Sequence, residues 1–418
     1  MKAKVAGCLP VRLQEDGSLK HAVVLDIGSS KVVCICGGRV GKDGVAVYGA
    51  DIQPYAGYRF GKWADPAQVQ EVVIQAIEAT QRECNFRLRE VMLSVPAPFI
   101  HLEIGEGALD LISSNGKPKR ITNADIDMLM NESMPQQAPE GYVLMHSTPL
   151  FYIVDGAKRT EVPLDLVAGR LEGKVTHAYV QQSFLEPVQQ AVEDLGLEVG
   201  ACIASPLAQA LLLLPEEKRR RPAVLIDVGY THTDISVIEQ EGLTALETIE
   251  VGGMHFAGDL SYGLEIPLSV AEQIKRRYVF SLDYQDSVEL LRTPEGTRQV
   301  DRATIQYILE ERAKELCAMI YQALLDMGVN LKARPAVHVT GGGLGMMRGS
   351  YEFIESMLGL RISRETPWMP RMSSPNYTSA FGTLEFVLHT TEDDISASKL
   401  QGSLDSGVLK KLREFFVK

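Results

Sequence analysis

Two short segments carry the residue types that hold a phosphate chain. Asp26-Ile27-Gly28-Ser29-Ser30-Lys31 places an acid, a glycine, two hydroxyls and a cation within six positions. Glycine lets backbone approach a ligand closely, and successive N–H groups of a turn cradle anionic oxygens. Ser29 and Ser30 add hydroxyl donors, and Lys31 adds charge. Asp26, at the end of an apolar run, is placed to orient a hydrated Mg²⁺, an ion that usually keeps several of its waters. Alone, these residues also describe an ordinary hairpin turn. A second segment, Asp227-Val228-Gly229-Tyr230-Thr231-His232-Thr233-Asp234, offers the same chemistry again: an acid, a glycine, then donors. Two such loops facing each other would clamp a triphosphate from both sides.

Three further features belong with this pair. Gly341-Gly342-Gly343 removes side chains where a flat base and a ribose could lie on backbone, although the spacing matches neither a dinucleotide-binding fingerprint nor a P-loop. Glu272 and Lys275 lie one helical turn apart, and either pair with each other across solvent or reach ribose hydroxyls. Residues 407–418 set Val408, Leu409, Leu412, Phe415 and Phe416 on one helical face, with Lys410, Lys411, Arg413 and Lys418 against a single acid, Glu414. A basic amphipathic helix with aromatics, after the polar stretch 390–406, is the pattern of an interfacial membrane anchor. A helix docked on its own domain is the other reading of that face.

The elements that must position these residues read as α/β. The segments 21–27, 31–36 and 44–48 predict three strands joined by tight turns. Residues 223–227, 233–238 and 243–251 repeat that order, nearly half the chain away, which predicts two related halves. Asp65 and Pro66 open a helix whose stripe is Val69, Val72, Val73, Ala76, Ile77 and Thr80. A strand is expected over 90–95, a helical region over 267–280, a long helix over 301–327 and a strand over 336–339. Residues 96–175 change character, with short strands at 100–103 and 143–152 and a short helix after Thr122, and they read as an inserted α+β unit.

Composition bounds the function. A chain of 418 residues exceeds one ordinary domain of ~150 residues. Its net charge of −12 argues against nucleic acid as a partner, because phosphate contacts need a basic surface. No apolar run approaches the ~18 residues that span a bilayer, and no signal peptide is visible. The six cysteines (Cys8, Cys34, Cys36, Cys84, Cys202 and Cys317) show no zinc or redox spacing and read as reduced thiols of a cytoplasmic protein.

The paired acid–glycine loops, the triple glycine and the Glu272/Lys275 pair resemble the actin-like ATPase superfamily. Within it, residues 21 to the C-terminus resemble the bacterial cell-division FtsA family, through Asp26–Val32, Val251-Gly252-Gly253, Asp259, Tyr262-Gly263-Leu264 and the terminal helix. The resemblance implies an actin-like two-domain fold with a central nucleotide cleft. It divides the chain into a 1–20 extension, a first subdomain (21–95 and 176–205), an inserted subdomain (96–175), a second (206–252 and 331–389), a further one at 253–330, a linker (390–406) and the 407–418 helix. It implies ATP and Mg²⁺ as cofactors, held by Asp26, Gly28, Ser29, Ser30, Lys31, Gly229, Tyr230, Thr231, His232, Glu272, Lys275 and Gly341 to Gly343. Asp26 and Asp227 would serve the metal through water. The implied partners are the FtsZ C-terminal tail at 253–330, further copies of the chain in protofilaments, later division proteins and the membrane.

The implied location is the cytoplasmic face of the membrane at the septum. Actin-like hydrolases usually carry Glu or Gln at the start of the helix that follows the first domain, and here that position is Ser205. Serine is a poor base at neutral pH, so slow turnover is expected, with Asp227 as the remaining candidate to orient water or metal. Tyr230 and Thr231 stand where the family is often glycine-rich, which predicts a restricted approach for phosphate. A sugar or acetate kinase and a PilM-like pilus-assembly adaptor share the cleft. A kinase needs an acid beside the acceptor hydroxyl, and no separate motif supplies one.

Overall fold

The computed structural model describes residues 21–40, 44–84, 87–160, 163–280, 282–284, 287–293, 296–363 and 374–389. The 1–20 extension, the 390–406 linker and the 407–418 helix lie outside the described residues.

Each acid–glycine segment closes a hairpin, and each hairpin is the centre of a five-stranded sheet. In the first sheet, His21–Ile27 pairs antiparallel with Lys31–Val40, which pairs with Gly44–Pro54. On the other side, His21–Ile27 pairs parallel with Glu90–Val95, and that strand with Glu198–Ala204. The second sheet repeats this arrangement. Ala223–Val228 pairs antiparallel with Thr233–Glu239 and then Gly242–Ile249. It pairs parallel with Val337–Thr340, followed by Ile362–Ser363. The halves therefore match in strand order and direction, as the sequence repeat predicts. Central strands buried on both faces read as apolar runs, and Ala22 to Leu25 and Ala223 to Ile226 are almost wholly buried.

Helices cover the sheets. Asp65 caps Pro66–Glu83 by accepting from Ala67 N at 3.0 Å and Gln68 N at 3.3 Å. All six residues of its predicted stripe are buried. Arg302–Asp326 is capped by Asp301, which accepts from Ala303 N at 3.0 Å. Thr378–His389 follows the second half in sequence yet packs on the first sheet. Phe381, Leu384 and Val387 share a core there with Val24, Val33, Ile35 and Met92. Beside it runs Ser205–Leu213, the helix that leaves the first sheet for the second. These two helices bring Ser205 and Ser379 under both hairpins.

The insertion forms its own four-stranded sheet, with Ile100–Asp110 at one edge and Arg170–Gln181 and Tyr142–Val154 inside. The strand predicted over 100–103 continues to Asp110 because glycines admit the helix Asn123–Glu132 onto its face. A Cβ at Gly105 would lie 1.7 Å from Ser133 O, and one at Gly107 would lie 2.5 Å from Leu129 O. Thr122 and Asp125 close that helix with a capping box. The insertion also grips the second half: Thr176 Oγ1 donates to Leu243 O at 2.6 Å, and Arg159 pairs with Glu239 at 2.6 Å.

Candidate functional site

The two hairpins close in the same way. Gly28 N donates to Lys31 O at 3.0 Å, and Gly229 N donates to His232 O at 2.9 Å. Their tips meet at the carboxyl ends of the central strands, where open α/β sheets place ligands. Thr231 N donates to Ser29 Oγ at 3.2 Å, so the tips are in direct contact. Gly57, with φ +74°, lets the following segment pass Ser29, because a Cβ there would lie 1.8 Å from Ser29 O.

Between the halves lies a cavity of about 460 Å³. Its lining includes Asp26, Gly28, Ser29, Ser30 and Lys31 from the first hairpin and Asp227, Gly229, Tyr230 and His232 from the second. Glu272, Lys275, Gly341, Gly342 and Gly343 complete its far side. Thr231 is the one predicted cleft residue outside the lining. Its side chain turns inward, with Oγ1 at 2.9 Å from His232 Nδ1, so it braces the loops instead of facing the cavity. Val408, Leu409, Lys410, Lys411, Leu412, Arg413, Phe415 and Phe416, predicted to meet the membrane, lie outside the described residues.

The glycines show why side chains are missing here. Gly343 N donates to Val228 O at 2.7 Å, and Gly253 N donates to Gly229 O at 2.9 Å. A Cβ on Gly343 would lie 2.2 Å from Gly229 O, and one on Gly253 would lie 2.6 Å from Gly343 Cα. Three loops thus dock backbone on backbone around the second hairpin. Glu272 and Lys275 do pair, at 2.7 Å, but not across solvent. Lys275 is only 3% exposed, and it also donates to Gly253 O at 2.9 Å. The pair therefore pins the helix Leu268–Arg277 to the glycine loops.

The cleft's charges are strained by burial. Burial raises the Asp26 carboxyl above its usual range, against hydrogen bonds from Ser379 and Ser94 and the charge of Lys31. Burial and the neighbouring Asp234 push Asp227 up to about 6. Burial lowers Lys31 to about 8, against the pull of Asp26 and Asp227, and its Nζ sits 4.0 Å above the Tyr377 ring. Burial disfavours the charged form of His232, yet the acids around it, Asp234 at 3.3 Å first and then Asp227 and Glu250, together outweigh burial and raise the imidazole above its ordinary value. Two buried carboxylates that retain protons too readily are short of positive charge, which a divalent cation would supply. Among the described residues no three His, Cys, Asp or Glu side chains are grouped to hold a bare metal. The donor set therefore fits an ion held through water and phosphate oxygens better than one in a protein cage.

The sequence did not single out four residues that the fold brings here. Gln209, Asp234, Tyr377 and Ser379 all line the cavity. Asp234 sat in view in the second loop. Gln209 lies one turn beyond Ser205, a spacing that puts both on one helix face. Nothing in the sequence links Tyr377 and Ser379 to Asp26.

Comparison with known proteins agrees with this architecture. A family model described as cell division protein FtsA matches residues 224–382, and one described as the SHS2 domain inserted in FtsA matches residues 108–178. The chain is 26% identical over 395 residues to the cell division protein FtsA of Neisseria meningitidis, covering 92% of each. It is 26% identical over 372 residues to that of Bacillus subtilis, covering 87% of this chain and 83% of the relative. Among solved structures, a PilM–PilN type IV pilus biogenesis complex superposes with a TM-score of 0.59 at 17% identity, covering 88% of this chain and 98% of that one. MreB5 of Spiroplasma citri bound to ADP superposes at 0.52 and 12% identity, covering 87% and 95%. These two show the fold alone. With two matched halves, the inserted domain in its place and relatives that span the length of the chain, the protein is a member of the FtsA cell-division family with an actin-like fold.

Proposed function

We propose that this protein binds ATP with Mg²⁺ in the central cleft and anchors FtsZ filaments to the cytoplasmic face of the membrane at the septum. The observation that carries this reading is the meeting of two equivalent acid–glycine hairpins across one cavity. MreB5 structures of the same fold are described as bound to ADP and to AMPPNP, which supports a nucleotide here. Asp26 and Asp227 would hold the ion through its waters, and the hairpin N–H groups and Lys31 would take the phosphates. When bound, the ion supplies the positive charge that both carboxylates lack. Ser205 offers no base, so ATP acts chiefly as an assembly cofactor with slow turnover, and Asp227 orients water or metal.

The 253–330 subdomain receives the FtsZ tail. Copies of the chain assemble into protofilaments, and later division proteins are recruited to them. The 407–418 helix binds lipid. Among the described residues no helix is long and apolar enough to cross a membrane, so that terminal helix carries the attachment in this reading. A single short amphipathic helix binds weakly, and several copies in a filament multiply its hold. The test is co-sedimentation with anionic vesicles and a labelled FtsZ tail peptide. The full chain carries peptide to the pellet, and removal of 407–418 leaves both in the supernatant. Unchanged sedimentation of the truncated chain, or no peptide binding at high micromolar concentration, contradicts it.

A further inference from the structure

A chain of hydrogen bonds crosses the floor of the cleft and joins its two acids. Gln209 Nε2 donates to Asp227 Oδ2 at 2.9 Å and to Ser205 Oγ at 3.3 Å. Ser205 Oγ lies 2.7 Å from Ser379 Oγ, and Ser379 Oγ donates to Asp26 Oδ1. Donor arithmetic fixes its direction. A serine hydroxyl has one proton, and Ser379 gives its own to Asp26. Ser205 must then donate to Ser379 and accept from Gln209. The carboxamide nitrogen has two N–H groups, one for each branch. Turning the amide over would aim its oxygen at the Asp227 carboxylate, so the network assigns the orientation. Thr383 donates to Ser94 at 3.0 Å, and Ser94 Oγ lies 3.3 Å from Ser379 Oγ, on the far side of the bridge. Gln209 Oε1 is buried and has no hydrogen-bond partner.

Every side chain in the bridge comes from the two helices between the sheets, while the acids at its ends come from the two hairpins. We propose that Gln209, Ser205 and Ser379 are positioning residues for the cation of the nucleotide site, setting the distance and facing of Asp26 and Asp227 across the cleft. Gln209 supplies, from one turn further along the helix, the carboxamide that Ser205 lacks at its start. Both carboxylates accept from the bridge, and both line the same cavity. Because Ser379 lies on the helix Thr378–His389, the geometry of the cation site is tied to the seating of that helix on the first sheet.

This inference rests on the nucleotide reading, and its test separates the two. ATP binding to the full chain is measured by titration calorimetry with Mg²⁺ and with EDTA, for wild type, S379A, S379T, S205A and Q209L. Circular dichroism confirms that each variant is folded. The quantity read is the gain in affinity that Mg²⁺ confers. It should fall about tenfold in S379A and in Q209L and return to within threefold of wild type in S379T. A residue needed only for packing would weaken both conditions alike and leave the gain unchanged. If wild type binds ATP and the folded variants keep the full gain, the bridge does not position the cation. S205A decides the matter if S379A does not fold. If wild type binds no ATP in either condition, the nucleotide reading fails and this inference falls with it.

Discussion

Replacing Gly341 with alanine should separate strain from overlap at the second acid. Gly341 has φ +94°, a conformation that costs an L-residue ~1–2 kcal/mol. Its added Cβ would lie 2.3 Å from Asp227 Oδ1 and 2.4 Å from Val228 O, well inside contact distance. Backbone at Val228 is fixed by the sheet and cannot retreat far, so overpacking adds roughly 1–3 kcal/mol. The expected loss is roughly 2–5 kcal/mol, or at least ~4 °C of thermal midpoint for a lobe of this size. Gly328 is the control, because its φ is +75° and nothing lies within 4 Å of a Cβ there. Gly328→Ala should cost only the ~1–2 kcal/mol of strain. Urea unfolding of the full chain, followed by circular dichroism, measures both. Gly341→Ala should also weaken ATP binding, because the carboxylate it displaces faces the cleft. Equal losses at the two positions, or intact binding in a destabilised Gly341→Ala, would refute the packing argument.

Two other outcomes follow from buried charge. Burial holds His146 and His338 at about 4, below their ordinary value near 6.5, so the unfolded chain takes up protons first as pH falls. Their stability contribution is intact above pH ~6.5 and is lost as pH drops toward 4, by about 2 kcal/mol each at pH 5. A urea midpoint that does not shift between pH 7 and pH 5 would contradict this. Lys275→Met removes a buried ammonium from Gly253 O and leaves Glu272 with only the exposed Arg276, at 2.8 Å, as its cation, and should cost about 1–3 kcal/mol. A more stable variant would mean that desolvation outweighs the pair, as happens at some buried ion pairs.

The architecture was legible where local chemistry and periodicity agree. The Asp65–Pro66 cap, the 69–80 stripe and the duplicated hairpins all survive in the fold because strand and helix patterns depend on neighbours a few residues apart. The cleft residues were legible as far as they sat on the hairpins. Glu272 and Lys275 were legible as a pair but not as a buried one, because their burial depends on the glycine loops that dock over them. Ser379 was not legible at all. A serine in an apolar helix has no pattern of its own, and its bond to Asp26 joins positions at opposite ends of the chain. Thr231 was misplaced within its own loop, since which side chain of a turn faces in is decided by contact with the other hairpin.

The most direct test of the account is calorimetric titration of the full chain with ATP in Mg²⁺. The account predicts one saturable site per chain, competed by ADP and weakened by Asp227→Asn. The absence of saturable binding at millimolar ATP, or binding indifferent to Asp227→Asn, would contradict it.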